Sequence, residues 1–465
     1  MKKMYALMTV LFLLLAGTGQ ATAVELKTEI IRPFGDNILF VDSEDGGMLT
    51  IEAFIDGVQL ENPVTAMKIG PGSHEICWQG LTYGGEPLMR GRIILRATLA
   101  GTDRTVEQAE TTAEIGSPLP AVVCCLTGSR SFYADGINIL RIEVAMSAPG
   151  DCEISIAPKD QPEEKIWYTR KNVDAKAPEV FRWNGKNRNG EICPPGEYVI
   201  SARSVRCPER VFSETVELLK EPQEEPELTV TGSLIPEDLT DDAEVWKRLT
   251  EPVAVGDGWE GQGLRINNEK NNQAGVAGTV SCRTVGLAVL ETDDDGWVKV
   301  GAWTQSGGYY TEGYVKADKL TVIRPNTHYG AVLDKKAQTL TVYEDGVRLG
   351  TVKISTGLST DSERKADTHS GVYLLGTRMQ DFTRYGHTYC YPIRIDGSNL
   401  IHQVGYKRDN GQISFAEEIS TLGSKASHGC VRVDARSMEE NNGLNAWWIW
   451  THMGHDTKII ITPED

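Results

Sequence analysis

Six consecutive residues near the C-terminus, Ser427-His428-Gly429-Cys430-Val431-Arg432, place a thiol beside an imidazole. A second imidazole, His402, closes the run Leu400-Ile401-His402 further upstream. A cysteine attacks a carbonyl only as its thiolate, and a free thiol with a pKa of about 8.5 is mostly protonated at neutral pH. A nearby imidazole or a field of backbone dipoles corrects that. His428 stands two residues from Cys430, so the two share a face in a strand but have no defined relation in a turn. His402 ends a strand-like segment and can reach Cys430 from an adjacent one. Gly429, immediately before the thiol, lets a substrate approach the main chain closely. Backbone N–H groups there can hold an oxyanion. A cysteine with an upstream histidine is not by itself diagnostic, because a free Cys is usually a small buried hydrophobe. A zinc site built from His402, His428 and Cys430 is a rival, but no H-E-x-x-H or C-x-x-C pattern accompanies it.

The elements that must position these residues read as a mostly β domain spanning 327–463. Tyr329–Asp334 and Gln338–Tyr343 alternate as strands, and Asp345-Gly346 is a two-residue hairpin turn leading into Val347–Ile354. Gly371–Gly376, Pro392–Ile395 and Lys458–Thr462 are further expected strands. Only about Asn441–Met453 reads as a helix, with Leu444, Trp447, Trp448 and Thr451 near helical spacing.

The first half repeats itself. Trp78, Gly80, Gly85, Glu86 and Gly91 recur 105 residues later as Trp183, Gly185, Gly190, Glu191 and Gly196. Each copy ends in alternating residues, and the glycines supply tight turns, so two β-sandwiches are expected over 24–116 and 117–220. The acidic, proline-containing stretch 221–227 reads as a semi-rigid linker. Short strands around Gly278–Cys282, Gly296–Val300 and Gly313–Val315 mark a further domain over 228–325.

The 465 residues carry 47 Lys+Arg against 65 Asp+Glu, a net charge of −18. So acidic a chain repels polyphosphates, which excludes nucleic acid as a natural partner. Lys2 and Lys3, the apolar run Leu7–Leu15 and Ala21-Thr22-Ala23 form the three-part pattern of a secretory signal peptide over residues 1–23. The protein is therefore expected to be secreted and extracytoplasmic; an uncleaved N-terminal anchor is the alternative. Nine cysteines leave at least one thiol without an intramolecular partner. Disulfides are open to the five between 117 and 222. Adjacent Cys124 and Cys125 point to opposite faces if that segment is a strand, so at most one is expected to face the core of its domain.

The S-H-G-C-V-R string resembles the signature of the L,D-transpeptidase catalytic domain, the YkuD-type fold, over about residues 328–462. Ser355-Thr356-Gly357 and Thr368-His369-Ser370-Gly371-Val372-Tyr373 are similar to two further family segments. The resemblance implies that Cys430 is the nucleophile and His402 the general acid/base. His428, Gly429 and Cys430 would supply oxyanion donors, with Ser427 shaping the turn. Arg432 would order the loop or meet a substrate carboxylate, and Tyr389 or Tyr385 would help form the pocket. The implied substrates are peptidoglycan stem peptides cross-linked through their third residues, with L,D-carboxypeptidase activity as the alternative outcome. Carbapenem β-lactams are implied inhibitors, and no cofactor, metal or stable protein partner is expected. Three positions depart from the pattern: His369 replaces a Pro, Gln403 replaces a Gly, and 24 residues separate His402 from Ser427. The extra length, including Lys407–Gly411, is expected to form a loop over the cleft.

Residues 183–198 resemble the immunoglobulin-like domain of flagellar hook-capping proteins, and 296–320 resemble the ends of a bacterial SH3-like barrel. The fold class expected is thus mainly β and multidomain: two Ig-like sandwiches, an SH3-like barrel and a β-rich catalytic domain. The sandwiches read as spacers. The aromatics Trp297, Trp303, Tyr309, Tyr310 and Tyr314 are candidates for binding wall peptides. A non-catalytic wall-binding protein is the remaining alternative.

Overall fold

The computed structural model describes residues 24–464 apart from 56, 103, 237, 306–308, 359–365, 380, 411 and 438–440. The expected signal peptide lies outside the described residues. The chain is mainly β, organised in several sheets.

Residues 25–115 form a three-stranded sheet (Glu25–Thr28, Asn37–Ser43, Gly72–Trp78) and a four-stranded sheet (Val58–Ile69, Gly47–Ile55, Gly91–Gly101, Val106–Ile115). Alternation along Gly47–Ile55 sends Leu49, Ile51 and Ala53 inward against Leu39 and Val41 of the other sheet. Residues 122–219 repeat the plan with three- and five-stranded sheets around Trp183, Ile142 and Ile154.

The internal repeat is structural. Gly80 and Gly185 have φ of +65° and +77°, and Gly85 and Gly190 have +76° and +83°. Trp78 Nε1 donates to the Leu81 carbonyl, and Trp183 Nε1 donates to that of Lys186. The same turn closes in both copies, through Gly85 N–H to Thr82 O and Gly190 N–H to Asn187 O.

Between the sandwiches and the C-terminal domain lies a five-stranded sheet (Val276–Ser281, Gly263–Asn267, Tyr310–Lys316, Trp297–Trp303, Ala288–Thr292). Trp297 is buried in its core, whereas Tyr309 and Tyr310 are exposed. The helix Asp242–Thr250 was not expected in this region. Asp241 caps it by accepting from the N–H groups of Ala243 and Glu244. Its Val245 and Leu249 pack against Val332, Tyr343 and Val372 of the C-terminal domain.

The C-terminal domain is built on an eight-stranded sheet. In spatial order its strands are Gly371–Leu374, Lys458–Ile461, Tyr329–Asp334, Thr339–Glu344, Val347–Ser355, Val431–Val433, Asn399–Gln403 and Ile393–Asp396. Asp345 and Gly346 both take positive φ, +47° and +85°, as the expected hairpin turn requires. The helix is shorter than expected, Ala446–His452, because Asn445 caps it by accepting from Trp448 N–H.

The sandwiches are packed on the C-terminal domain and do not stand off from it. One apolar core runs from Val123 and Leu126 through Val298 to Leu333, Val431 and Trp447. Val404, Ile413, Phe415 and Ala435 of the C-terminal domain join the core of the first sandwich. Cys124 and Cys125 point to opposite faces, as expected, and this contact explains why both are nonetheless buried. Cys125 faces the core of its own sandwich, and Cys124 faces the C-terminal domain, where Arg378 lies against it. Arg378 in turn is paired with buried Glu143. All nine cysteines are free thiols.

Candidate active site

Cys430 sits at the end of a braced turn. Ser427 Oγ accepts from Gly429 N–H (3.2 Å) and donates to the Cys430 carbonyl, clamping the turn onto itself. Gly429 has φ +110°, and a Cβ there would lie 2.6 Å from Asn399 Oδ1, so only glycine fits. The two further motif segments are the brace. Thr368 Oγ1 donates to the Gly429 carbonyl (2.9 Å) and accepts from Gly357 N–H (2.8 Å). The Thr356 carbonyl accepts from Ser427 N–H, and Leu358 N–H donates to the Ser427 carbonyl. Gly357 is again obligatory, since a Cβ would meet the Ala366 carbonyl at 2.0 Å.

His402 comes from the strand Asn399–Gln403, which pairs in parallel with Val431–Val433 and sets His402 opposite Arg432. The imidazole is buried against the ring of Tyr389 (centroids 4.8 Å apart) and that of Phe382 (5.5 Å). Its Nδ1 lies 2.7 Å from the Gln403 carbonyl. A carbonyl only accepts, so Nδ1 carries the proton and Nε2 is left as the base. Burial pushes the His402 pKa down to about 4; the bond to Gln403 opposes this, and the Arg432 charge adds to it. Burial also pushes the Cys430 thiol above its ordinary value, against the Leu400 N–H and the Arg384 and Arg432 charges. The resting pair is therefore a neutral imidazole and a neutral thiol.

Both groups line one cleft of about 290 Å³. Its roof is the hairpin Phe382–Arg384/His387–Tyr389, with Tyr385 at the exposed tip, 6.0 Å from the His428 ring. Its far wall is the short helix Ala416–Ile419, which contributes Glu417 and Glu418. Glu418 accepts from the Tyr389 hydroxyl (2.8 Å) and from Gly405 N–H (2.6 Å), and pairs with Arg432 at 3.0 Å. Among the described residues, no group of three or more His, Cys, Asp and Glu side chains could hold a metal ion.

The geometry thus gathers Cys430, His402, Ser427, His428, Gly429, Arg432, Tyr389 and Tyr385 at one cleft. Three of these groups already have partners within the cleft. The Gly429 N–H is engaged by Ser427 Oγ, so the N–H groups of His428 and Cys430 are the remaining main-chain donors of the turn. The Tyr389 hydroxyl donates to Glu418, and its ring packs against the imidazole. Arg432 is held by Glu418, which makes it a brace of the cleft wall. Glu418, Phe382 and Arg384 were not legible in the sequence, since a single Glu or Phe in a loop carries no spacing signal.

Each departure from the family pattern lies at a domain contact. His369 Nδ1 is 3.1 Å from Asp396 Oδ2, and Asp396 Oδ1 accepts from Ser281 and Gln305 of the middle domain. The Gln403 side chain bonds Glu86 of the first sandwich. The extra residues before Ser427 form the hairpin Lys407–Asp409/Gln412–Ser414, where Arg408 donates to the Arg90 carbonyl. That hairpin docks on the sandwich, and the helix after it walls the cleft.

Residues 328–461 match the family model of the YkuD L,D-transpeptidase catalytic domain. No curated protein matches the chain. Among solved structures, the chain is similar to an L,D-transpeptidase from Mycobacterium smegmatis, at 15% identity and a TM-score of 0.25, over 46% of this chain and 92% of that one. It is similar to an L,D-transpeptidase from Mycobacterium tuberculosis at 14% identity and a TM-score of 0.24, over 44% of this chain and all of that one. L,D-transpeptidase 3 from the same organism, in complex with a faropenem-derived adduct, aligns at 14% identity and a TM-score of 0.23, over 49% and 88% of the two chains. Every residue that lines the cleft falls within the matched segment, and residues 328–461 are assigned to the YkuD family of L,D-transpeptidase catalytic domains.

Proposed function

We propose that the protein is a secreted peptidoglycan L,D-transpeptidase that works through a cysteinyl acyl-enzyme on Cys430. The observation that carries this reading is the bond from His402 Nδ1–H to the Gln403 carbonyl, which leaves Nε2 as an unprotonated base in the cleft that holds the thiol.

His402 Nε2 takes the thiol proton as the Cys430 sulfur bonds to the carbonyl carbon of the third stem residue. The carbonyl electron pair moves onto oxygen, where the main-chain N–H groups of His428 and Cys430 receive it. Collapse breaks the peptide C–N bond, and the proton on His402 passes to the departing D-amino acid. An amine from a neighbouring stem then gives its proton to His402, attacks the thioester and releases Cys430, leaving a cross-link between third residues. With water as the acceptor the same steps yield a tripeptide. The neutral resting pair suits this sequence, because the proton moves as the C–S bond forms.

Mass spectrometry of products from a defined disaccharide-tetrapeptide tests the reading. A cross-linked dimer from wild type and none from Cys430→Ala is expected. Tripeptide alone would make the enzyme an L,D-carboxypeptidase on the same nucleophile. No product, and no carbapenem adduct on Cys430, would leave the non-catalytic wall-binding reading.

A further inference from the structure

The two copies of the N-terminal repeat differ at one informative place. Glu86 and Glu191 are equivalent in sequence and sit in the same turn, with main-chain bonds Thr82 N–H to Glu86 O and Asn187 N–H to Glu191 O. In the second copy the carboxylate is exposed and, among the described residues, its side-chain partner is its neighbour Asn187. The turn therefore does not require a buried carboxyl. In the first copy the carboxyl is 4% exposed, and its partners belong to the catalytic domain. Gln403 Nε2 lies 3.2 Å from Oε1, Asn445 Nδ2 lies 3.0 Å from Oε2, and the Tyr391 hydroxyl also bonds it.

Gln403 joins that carboxyl to the chemistry. Its own carbonyl is the acceptor that sets the His402 tautomer, and its N–H is held by the Cys390 carbonyl. Its side chain is 1% exposed, and its amide oxygen has no hydrogen-bond partner among the described residues. A buried unpaired amide oxygen is destabilising, so the bond to Glu86 is what retains the side chain in this place. Asn445, the second partner, is the cap of the helix Ala446–His452 and also donates to the Ala435 carbonyl. Glu86 thus pins the residue after His402 to a rigid helix end.

We propose that Glu86, a residue of the first sandwich, is a positioning residue for His402, acting through Gln403. The placement of His402 follows from geometry alone; the catalytic consequence rests on the transpeptidase reading above.

The test uses the full chain with ¹⁵N-labelled histidine. The His402 resonance, assigned by its loss in His402→Gln, reports the tautomer and its titration. The rate of Cys430 acylation by a carbapenem is followed by intact mass. Glu86→Ala is expected to mix the tautomers and to slow acylation by about tenfold or more, the scale of a small misplacement of a catalytic group. Glu86→Gln, which keeps an acceptor and a donor at the same site, is expected to restore both. Gln403→Ala keeps the carbonyl but severs the link. It should reproduce the Glu86→Ala effect, and the double variant should be no worse than either single one. It also serves as the test if Glu86→Ala does not fold. A folded Glu86→Ala or Gln403→Ala with wild-type His402 resonances overturns the proposal. If the resonances respond but wild type itself is never acylated, the positioning stands and the transpeptidase reading fails.

Discussion

The Arg432 guanidinium lies 3.0 Å from the Glu418 carboxylate, and both side chains are largely buried beside the cleft. Arg432 occupies the strand position opposite His402, and Glu418 also holds the Tyr389 hydroxyl that carries the ring packed on the imidazole. One carboxylate therefore braces two neighbours of the base. Removing one partner of a buried pair strands the other charge, which costs about 3 kcal/mol or more. Glu418→Ala should lose that much stability in urea titration. A loss under about 1 kcal/mol would show that the pair is not what holds the wall.

Cys430 should not behave as part of a preformed ion pair. Burial raises its thiol and holds His402 down to about 4. Raising a thiol pKa reduces the thiolate at neutral pH, so the iodoacetamide alkylation rate should climb with pH to beyond the ordinary thiol range near 8.5. A plateau already reached by pH 6–7 would mean that a thiolate–imidazolium pair is present at rest.

Gly429 should tolerate no side chain. Alanine there meets Asn399 Oδ1 and must also adopt φ +110°, a strain of about 1–3 kcal/mol. Gly429→Ala should fold but lose most acylation. Adding Asn399→Gly relieves the clash and leaves the backbone strain. Recovery in the double variant would assign the defect to the contact alone.

Glu86 should make stability depend on pH. Burial, opposed by bonds from Tyr391, Gln403 and Asn445, raises its carboxyl to about 7. Between the unfolded value near 4.3 and that figure the folded state binds more protons than the unfolded state. Its contribution is thus fully present below about pH 4.3 and lost as pH rises through 7. Relative to wild type, Glu86→Gln should gain up to about 3 kcal/mol on going from pH 4 to pH 8. An equal response of the two proteins across that range would show that Glu86 ionises normally.

The reactive turn was legible because its determinants are local. Ser427, Gly429 and Cys430 are contiguous, and the positive φ of Gly429 and the clamp through Ser427 Oγ act within four residues. The hairpin at Asp345-Gly346 and the twin Trp–Gly turns of the repeat were legible for the same reason. Each is a choice that neighbouring residues make together through sterics and one short hydrogen bond. The burial of both Cys124 and Cys125 was not legible, because strand alternation predicts which way a side chain points but not what covers the far face. Glu86 shows the limit most plainly: it and Glu191 occupy equivalent places in equivalent turns, and only the first meets Gln403 and Asn445. The sequence by itself determined which atoms can do the chemistry. Tertiary structure alone decided which buried carboxyls support them, because desolvation and its compensating bonds depend on partners more than 300 residues away along the chain.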